Sequence, residues 1–301
     1  MYETLYGLRE PPFHVTADPA FLFPSQQHRD ALDHLTYGIR QRLGFIEVTG
    51  EIGCGKTTVV KALLAQLPDS VCTSMLFNPV LSDVQLLEAI VQDFGLAPAP
   101  CLPAGRRKTR AALMAVLNGF LLEQQSRGRT AALIIDEAQT LASRTLEQIR
   151  LLSNLETPKE KLLQIILVGQ PELSDKLTDP RLRPLRQRIA IRCRIRPLAA
   201  EEVGAYIAHR LRVAGAAEGR PAFTPEAVAL IAQYSRGLPR TINHVCENAL
   251  LAGFLQETMT IDHALVRQAI DTLEGATAQP TEALNESDHG RLAESPVPLS
   301  R

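Results

Sequence analysis

Three glycines, a lysine and a hydroxyl fall within eight consecutive residues, Gly50-Glu51-Ile52-Gly53-Cys54-Gly55-Lys56-Thr57. The spacing is G-x-x-x-x-G-K-[ST], the Walker A pattern, which needs a strand before it and a helix after it. Both are expected: Phe45-Ile46-Glu47-Val48-Thr49 is a short β-type run, and the pattern turns helical from Lys56 onward. Glycines at 50, 53 and 55 let successive backbone N–H groups converge on phosphates, and the helix N-terminus adds partial positive charge. Lys56 would reach the β- and γ-phosphates, while the Thr57 hydroxyl would ligate Mg²⁺. Glu51, Ile52, Cys54 and Thr58 complete the expected nucleotide-contacting set. A small residue suffices at Cys54, which is given no redox role.

A second cluster closes the run Ala132-Leu133-Ile134-Ile135-Asp136-Glu137. Ligands bind outside the carboxyl ends of the strands in open α/β sheets, so two acids at that point are well placed for chemistry. Asp136 is expected to hold the metal through its water shell, and Glu137 to polarise an attacking water as general base. The pair predicts hydrolysis of ATP with Mg²⁺ as well as binding.

Those residues need a sheet to carry them. Further strands are expected at 71–77, 131–136, 163–168 and 189–195, with helices between, an alternation that specifies a parallel sheet covered on both faces. The runs ALIID and LLQIILV are continuously apolar, as central strands are. In IAIRCRI, Ile189, Ile191, Cys193 and Ile195 alternate with Arg192 and Arg194, which places that strand nearer an edge. Beyond Pro197 no strand is expected. Helices at 199–214, 224–236, 238–255 and 262–273 read as a compact all-helical lid, one of them opened by the cap sequence Thr224-Pro225-Glu226. The expected domains are a lead-in 1–44 packed on the core, a nucleotide-binding domain 45–197, the lid 198–273 and a disordered tail 274–301. The lead-in holds an amphipathic helix near 26–40 with Leu32, Leu35 and Ile39 on one face. Phe13, Phe21 and Phe23 before it are read as packing, with flanking of an adenine as the alternative.

Bulk composition narrows the field. Hydrophobic residues make up 45% and charged residues 22%, with a net charge of −1, so a core can form and no global charge pulls the chain to nucleic acid or membrane. The five cysteines include no CxxC pair, which argues against disulfide or zinc frameworks and fits a reducing compartment. The seven histidines show no metal-ligand spacing. Neither a signal-peptide layout nor an apolar run of about 20 residues is present, so a cytoplasmic protein is expected.

The two motifs, with Val168-Gly169-Gln170 and Gly237-Leu238-Pro239-Arg240, resemble an AAA+ ATPase. More narrowly, the sequence is similar to the ExeA/GspA general-secretion ATPases and their relatives in pilus and exopolysaccharide loci. The segments YGLREPPFHVTADPAFLFPSQQHRDAL, GFIEVTGEIGCGKTT, LIIDEAQTL, LLSNLET, ILVGQPEL, LRQRI and SRGLPRTINHVCENALL carry the likeness. The resemblance implies that Gln170 is a polar sensor of the γ-phosphate or attacking water. It implies that Arg240 is a sensor-2 arginine reporting nucleotide to the lid. It also implies an arginine finger acting in trans among Arg181, Arg183, Arg186 and Arg188, with Arg188 the first choice and Arg186 the second. A trans finger requires a homo-oligomer, by analogy a ring. Longer family members run on through a membrane span into a peptidoglycan-binding part, so an inner-membrane partner is expected for that half, with the chain peripheral at the membrane. The rival reading is a DNA-associated AAA+ protein of the transposition-regulator type. It draws on the finger-region arginines, on Arg192, Arg194 and Arg196, and on Arg106, Arg107, Lys108 and Arg110. A third is a nucleotide-gated switch that turns over slowly and needs the same site.

Overall fold

Phe45–Gly50 is buried at all six positions, the environment that a strand flanked by helices on both faces requires. In the computed structural model, which describes residues 1–77, 82–96, 109–217 and 219–275, this strand lies inside a five-stranded parallel sheet. In chain order the elements are α1 (Tyr2–Tyr6), α2 (Gln26–Arg40), β1 (Phe45–Gly50), α3 (Lys56–Gln66), β2 (Val71–Leu76), α4 (Asp83–Asp93) and α5 (Arg110–Ser126). There follow β3 (Thr130–Ile135), α6 (Ser143–Leu152), β4 (Leu163–Gly169), α7 (Pro171–Lys176), α8 (Arg183–Arg186) and β5 (Ile189–Ile195). The lid comprises α9 (Ala200–Val213), β6 (Ala222–Phe223), α10 (Pro225–Ser235), α11 (Pro239–Leu255), β7 (Thr260–Ile261) and α12 (His263–Leu273).

The sheet order is β2-β3-β4-β1-β5. Side chains on successive residues of a strand point to opposite faces, and the two cores follow that rule. Leu133, Ile135, Ile165 and Leu167 join the cluster containing α4, α5 and α6, while Ile134, Ile166 and Val168 join the cluster with α2 and α3. As its alternation predicts, β5 is an edge strand, with Cys193 and Ile195 buried and Arg192 and Arg194 exposed. The Arg192 guanidinium reaches back, its Nε 3.3 Å from the Glu47 carboxylate on the neighbouring β1.

The lead-in is divided rather than laid on the core as one piece. Tyr2, Tyr6, Leu8, Phe13 and Phe21 belong to the lid cluster, and the Tyr6 hydroxyl donates to the Leu250 carbonyl at 3.0 Å. On the sheet side pack α2, through Leu35 and Ile39, and Leu22 just before it. Gly38 permits this closeness, since a Cβ there would sit 2.5 Å from Ile46 Cδ1. The aromatic residues favour the lid because it offers the apolar faces of α9 and α11, whereas both faces of β1 are already covered.

Ahead of α10, Thr224 accepts a bond from the Ala227 N–H, with Pro225 at the first helical position. The lid also holds what periodicity did not show, a parallel pair between Ala222–Phe223 and Thr260–Ile261. Two residues are too few to display a period of two. Among the described residues, no helix is long and apolar enough to cross a membrane. The expected tail from residue 276 on, and Arg106, Arg107 and Lys108, lie outside the described residues.

Candidate nucleotide-binding site

The loop between β1 and α3 is shaped by its glycines. Gly53 and Gly55 have φ of +79° and +96°, values that cost a residue with a Cβ about 1–2 kcal/mol. Gly50 faces a different constraint, because a Cβ there would lie 2.4 Å from the Ile195 carbonyl oxygen. Gly55 caps α3, so the N-terminal N–H groups of that helix open toward the cleft. Lys56 is 6% exposed and its ammonium donates to the carbonyls of Gly50 and Glu51 at 2.9 and 3.0 Å. The charge is thus held at the loop's mouth.

The Thr57 hydroxyl donates to Asp136 Oδ2 at 2.8 Å, joining residues 79 positions apart. Asp136 is 3% exposed, and its second oxygen accepts from the Glu137 N–H. A hydroxyl and a carboxylate side by side suit a hard, oxygen-loving cation such as Mg²⁺, which keeps waters and takes the rest of its shell from phosphate. The pair therefore fits the expected metal, as the glycine cradle fits a phosphate chain.

Glu137 sits at φ 55°, an uncommon backbone for a glutamate, and one that costs energy where it persists. That turn sends its carboxylate across to β4, where it accepts from Gln170 Nε2 at 3.2 Å. Gln139, which sequence reasoning missed, completes the arrangement. Its Nε2 donates to the Glu137 carboxylate and its Oε1 accepts from the Gln170 N–H at 3.1 Å. Lys176 on α7 donates to the carbonyls of Gln139 and Leu141, pinning the same turn. The only sequence clue was a polar residue two places beyond the acid.

A cleft of about 320 Å³ gathers Lys56, Thr57, Thr58, Glu137, Gln170 and Arg240. Arg240 stands on the first turn of α11, and its N–H donates to the Gly53 carbonyl at 3.1 Å, a direct bond between lid and phosphate loop. Phe13 and Phe21 are buried in the lid and Phe23 stacks edge-on against Tyr206, so none of the three lines the cleft. Val15, Thr16 and Ala17 do so instead. That stretch is strapped down from both sides: Lys61 on α3 donates to the Ala17 carbonyl at 3.0 Å. Arg210 on α9 donates to the carbonyls of Pro12 and His14 while lying 4.6 Å over the Phe21 ring.

The finger candidates fall outside the cleft. Arg188, the first choice, is held within its own chain by the Arg150 carbonyl, the Ser153 hydroxyl at 2.6 Å and the Asn154 side chain at 2.9 Å, all at the end of α6. Arg186 is exposed on α8. Of the arginines behind the DNA reading, Arg181 pairs with Asp179 and Arg192 with Glu47, while Arg110, Arg194 and Arg196 are exposed.

A parallel sheet with the phosphate loop after β1, acids at the end of β3, a polar residue at the end of β4 and a helical lid defines the AAA+ class. The family model for the AAA domain matches residues 39–177. The fold is shared with the ORC2 protein of Aeropyrum pernix (ADPNP-ADP complexes), at TM-score 0.62 and 16% identity, covering 88% of this chain and 74% of that one. Cdc6p from Pyrobaculum aerophilum gives TM-score 0.65 at 18% identity, covering 85% and 71%. General secretion pathway protein A of Aeromonas hydrophila is 40% identical over 281 residues, 93% of this chain and 50% of the relative. The chain belongs to that general-secretion family of AAA+ ATPases, and spans about half the length of the relative it matches.

Proposed function

We propose that this chain binds ATP with Mg²⁺ and hydrolyses it, and that the cycle drives or switches the assembly of an envelope secretion, pilus or polysaccharide-export system. The observation that supports this most is the Thr57–Asp136 hydrogen bond beside Lys56, with Glu137 and Gln170 facing the same cleft. The loop N–H groups and Lys56 would hold the triphosphate. Thr57 and Asp136 would hold Mg²⁺, which supplies charge neutralisation on the phosphate oxygens. Glu137 would accept a proton from the attacking water, its carboxylate aimed by Gln139 and Gln170. Arg240 would couple the γ-phosphate end to the lid. A nucleotide-dependent homo-oligomer, with Arg186 as the trans finger, fits the exposed side chain on α8. Likeness to general secretion pathway protein A supports a cytoplasmic site of action beside an inner-membrane partner.

Titration of the purified chain with ATP and ADP in the presence of Mg²⁺, alongside Lys56→Ala, tests the reading. Wild type should bind and the variant should lose binding while keeping its unfolding midpoint. Equal affinities in a folded variant would remove the loop from the site.

A further inference from the structure

His28 has no part in the chemistry above, yet it is packed directly behind the phosphate loop. It lies in the first turn of α2 and is 4% exposed. Its Nδ1 is 2.7 Å from the hydroxyl of Ser25, the residue that caps the helix. Its Nε2 is buried and makes no hydrogen bond in this structure. Outside Gly55 and its two chain neighbours, that nitrogen is the one atom within 4 Å, at 3.6 Å, of the point where a Cβ on Gly55 would stand. A buried ring nitrogen with no partner forfeits a hydrogen bond, and this one is aimed at the backbone of the cradle. The imidazole pKa is lowered by burial, with the Cys54 and Phe23 backbone and the Glu202 carboxylate pulling the other way.

The peptide unit explains what such a contact does. In a planar trans peptide the carbonyl of Cys54 and the N–H of Gly55 point in opposite directions. A donor that holds the carbonyl on the α2 side turns the N–H toward the cleft. If the Ser25 hydroxyl donates to Nδ1, the ring proton resides on Nε2, the tautomer required to donate to a carbonyl.

We propose that His28 is a positioning residue for the phosphate loop, its Nε2–H holding the Cys54 carbonyl so that the Gly55 N–H is presented to the nucleotide phosphates. The inference rests on the nucleotide reading above. Ser25 acts through His28 by selecting the tautomer, and neither residue touches the nucleotide.

The test compares His28→Leu, which keeps bulk but removes the donor, with His28→Gln, whose amide can place an N–H near Nε2. For the full chain, ATP and ADP titrations should show about tenfold weaker binding in His28→Leu and recovery to within about threefold of wild type in His28→Gln. KM for ATP should rise with binding loss more than kcat falls. Wild-type affinity in a folded His28→Leu overturns the proposal, as does equal weakening in folded Leu and Gln variants, which would assign the effect to packing. Should His28→Leu fail to fold, Ser25→Ala takes its place, and unchanged affinity there overturns the proposal equally. Wild type that binds no nucleotide sinks the underlying reading as well, which separates the two failures.

Discussion

Gly53→Ala isolates the contact between lid and phosphate loop. At φ +79° an alanine costs about 1–2 kcal/mol from backbone alone. The added Cβ would then meet Arg240 Cβ at 2.6 Å. That atom is bonded to the α11 backbone and cannot swing aside, so the clash adds about 1–3 kcal/mol of overpacking. The expected loss is about 2–5 kcal/mol. Gly55→Ala is the control: its φ is +96°, but outside its chain neighbours its Cβ would meet only His28 Nε2, at an ordinary contact distance of 3.6 Å, so only the backbone cost of about 1–2 kcal/mol applies. Urea unfolding without nucleotide measures both. Gly53→Ala combined with Arg240→Gly should recover about 1–3 kcal/mol, because removing the opposing Cβ removes the clash. Equal losses for the two alanine variants, together with a coupling within about 0.5 kcal/mol of zero, would refute a lid seated on the loop.

Glu137→Gln should bind ATP normally and hydrolyse it about 10²–10⁴-fold more slowly in steady-state assays; an unchanged kcat would remove the residue from the base role. Arg186→Ala should abolish hydrolysis only in the assembled state and regain part of it when mixed with Lys56→Ala, whereas Arg188→Ala should lower the unfolding midpoint by loosening the end of α6. Rescue with Arg188→Ala instead would reverse that assignment. His28 and His209 both have pKa values lowered by burial from 6.5, so each binds fewer protons folded than unfolded. Stability from them is complete above pH 6.5 and is lost as pH falls through their lower folded values. Unfolding midpoints taken from pH 7.5 down to 5 should fall, and His28→Gln should flatten the slope.

Contiguous features were legible in the sequence. The glycine spacing, the apolar run ending at Asp136 and the alternating arginines of β5 each encode a local geometry that needs no distant partner to be recognised. Features made by meeting were not. Gln139 matters because Glu137 adopts a left-handed turn and β4 ends opposite, and neither fact is written in the residues from Glu137 to Gln139. Phe13 and Phe21 are apolar whichever surface they cover, so their type could not distinguish lid from sheet. Arg188 looked like its neighbours until the end of α6 was placed against it.

The strap over residues 12–17 carries a mechanical consequence. Lys61 belongs to the sheet-bearing half and Arg210 to the helical half, yet both grip one short stretch of main chain that roofs the cleft. Turning one half against the other must either pull this roof along or snap one of its two moorings. The opening of the cleft and the angle of the lid are therefore geared together, and a reporter dye on Thr16 would register either movement.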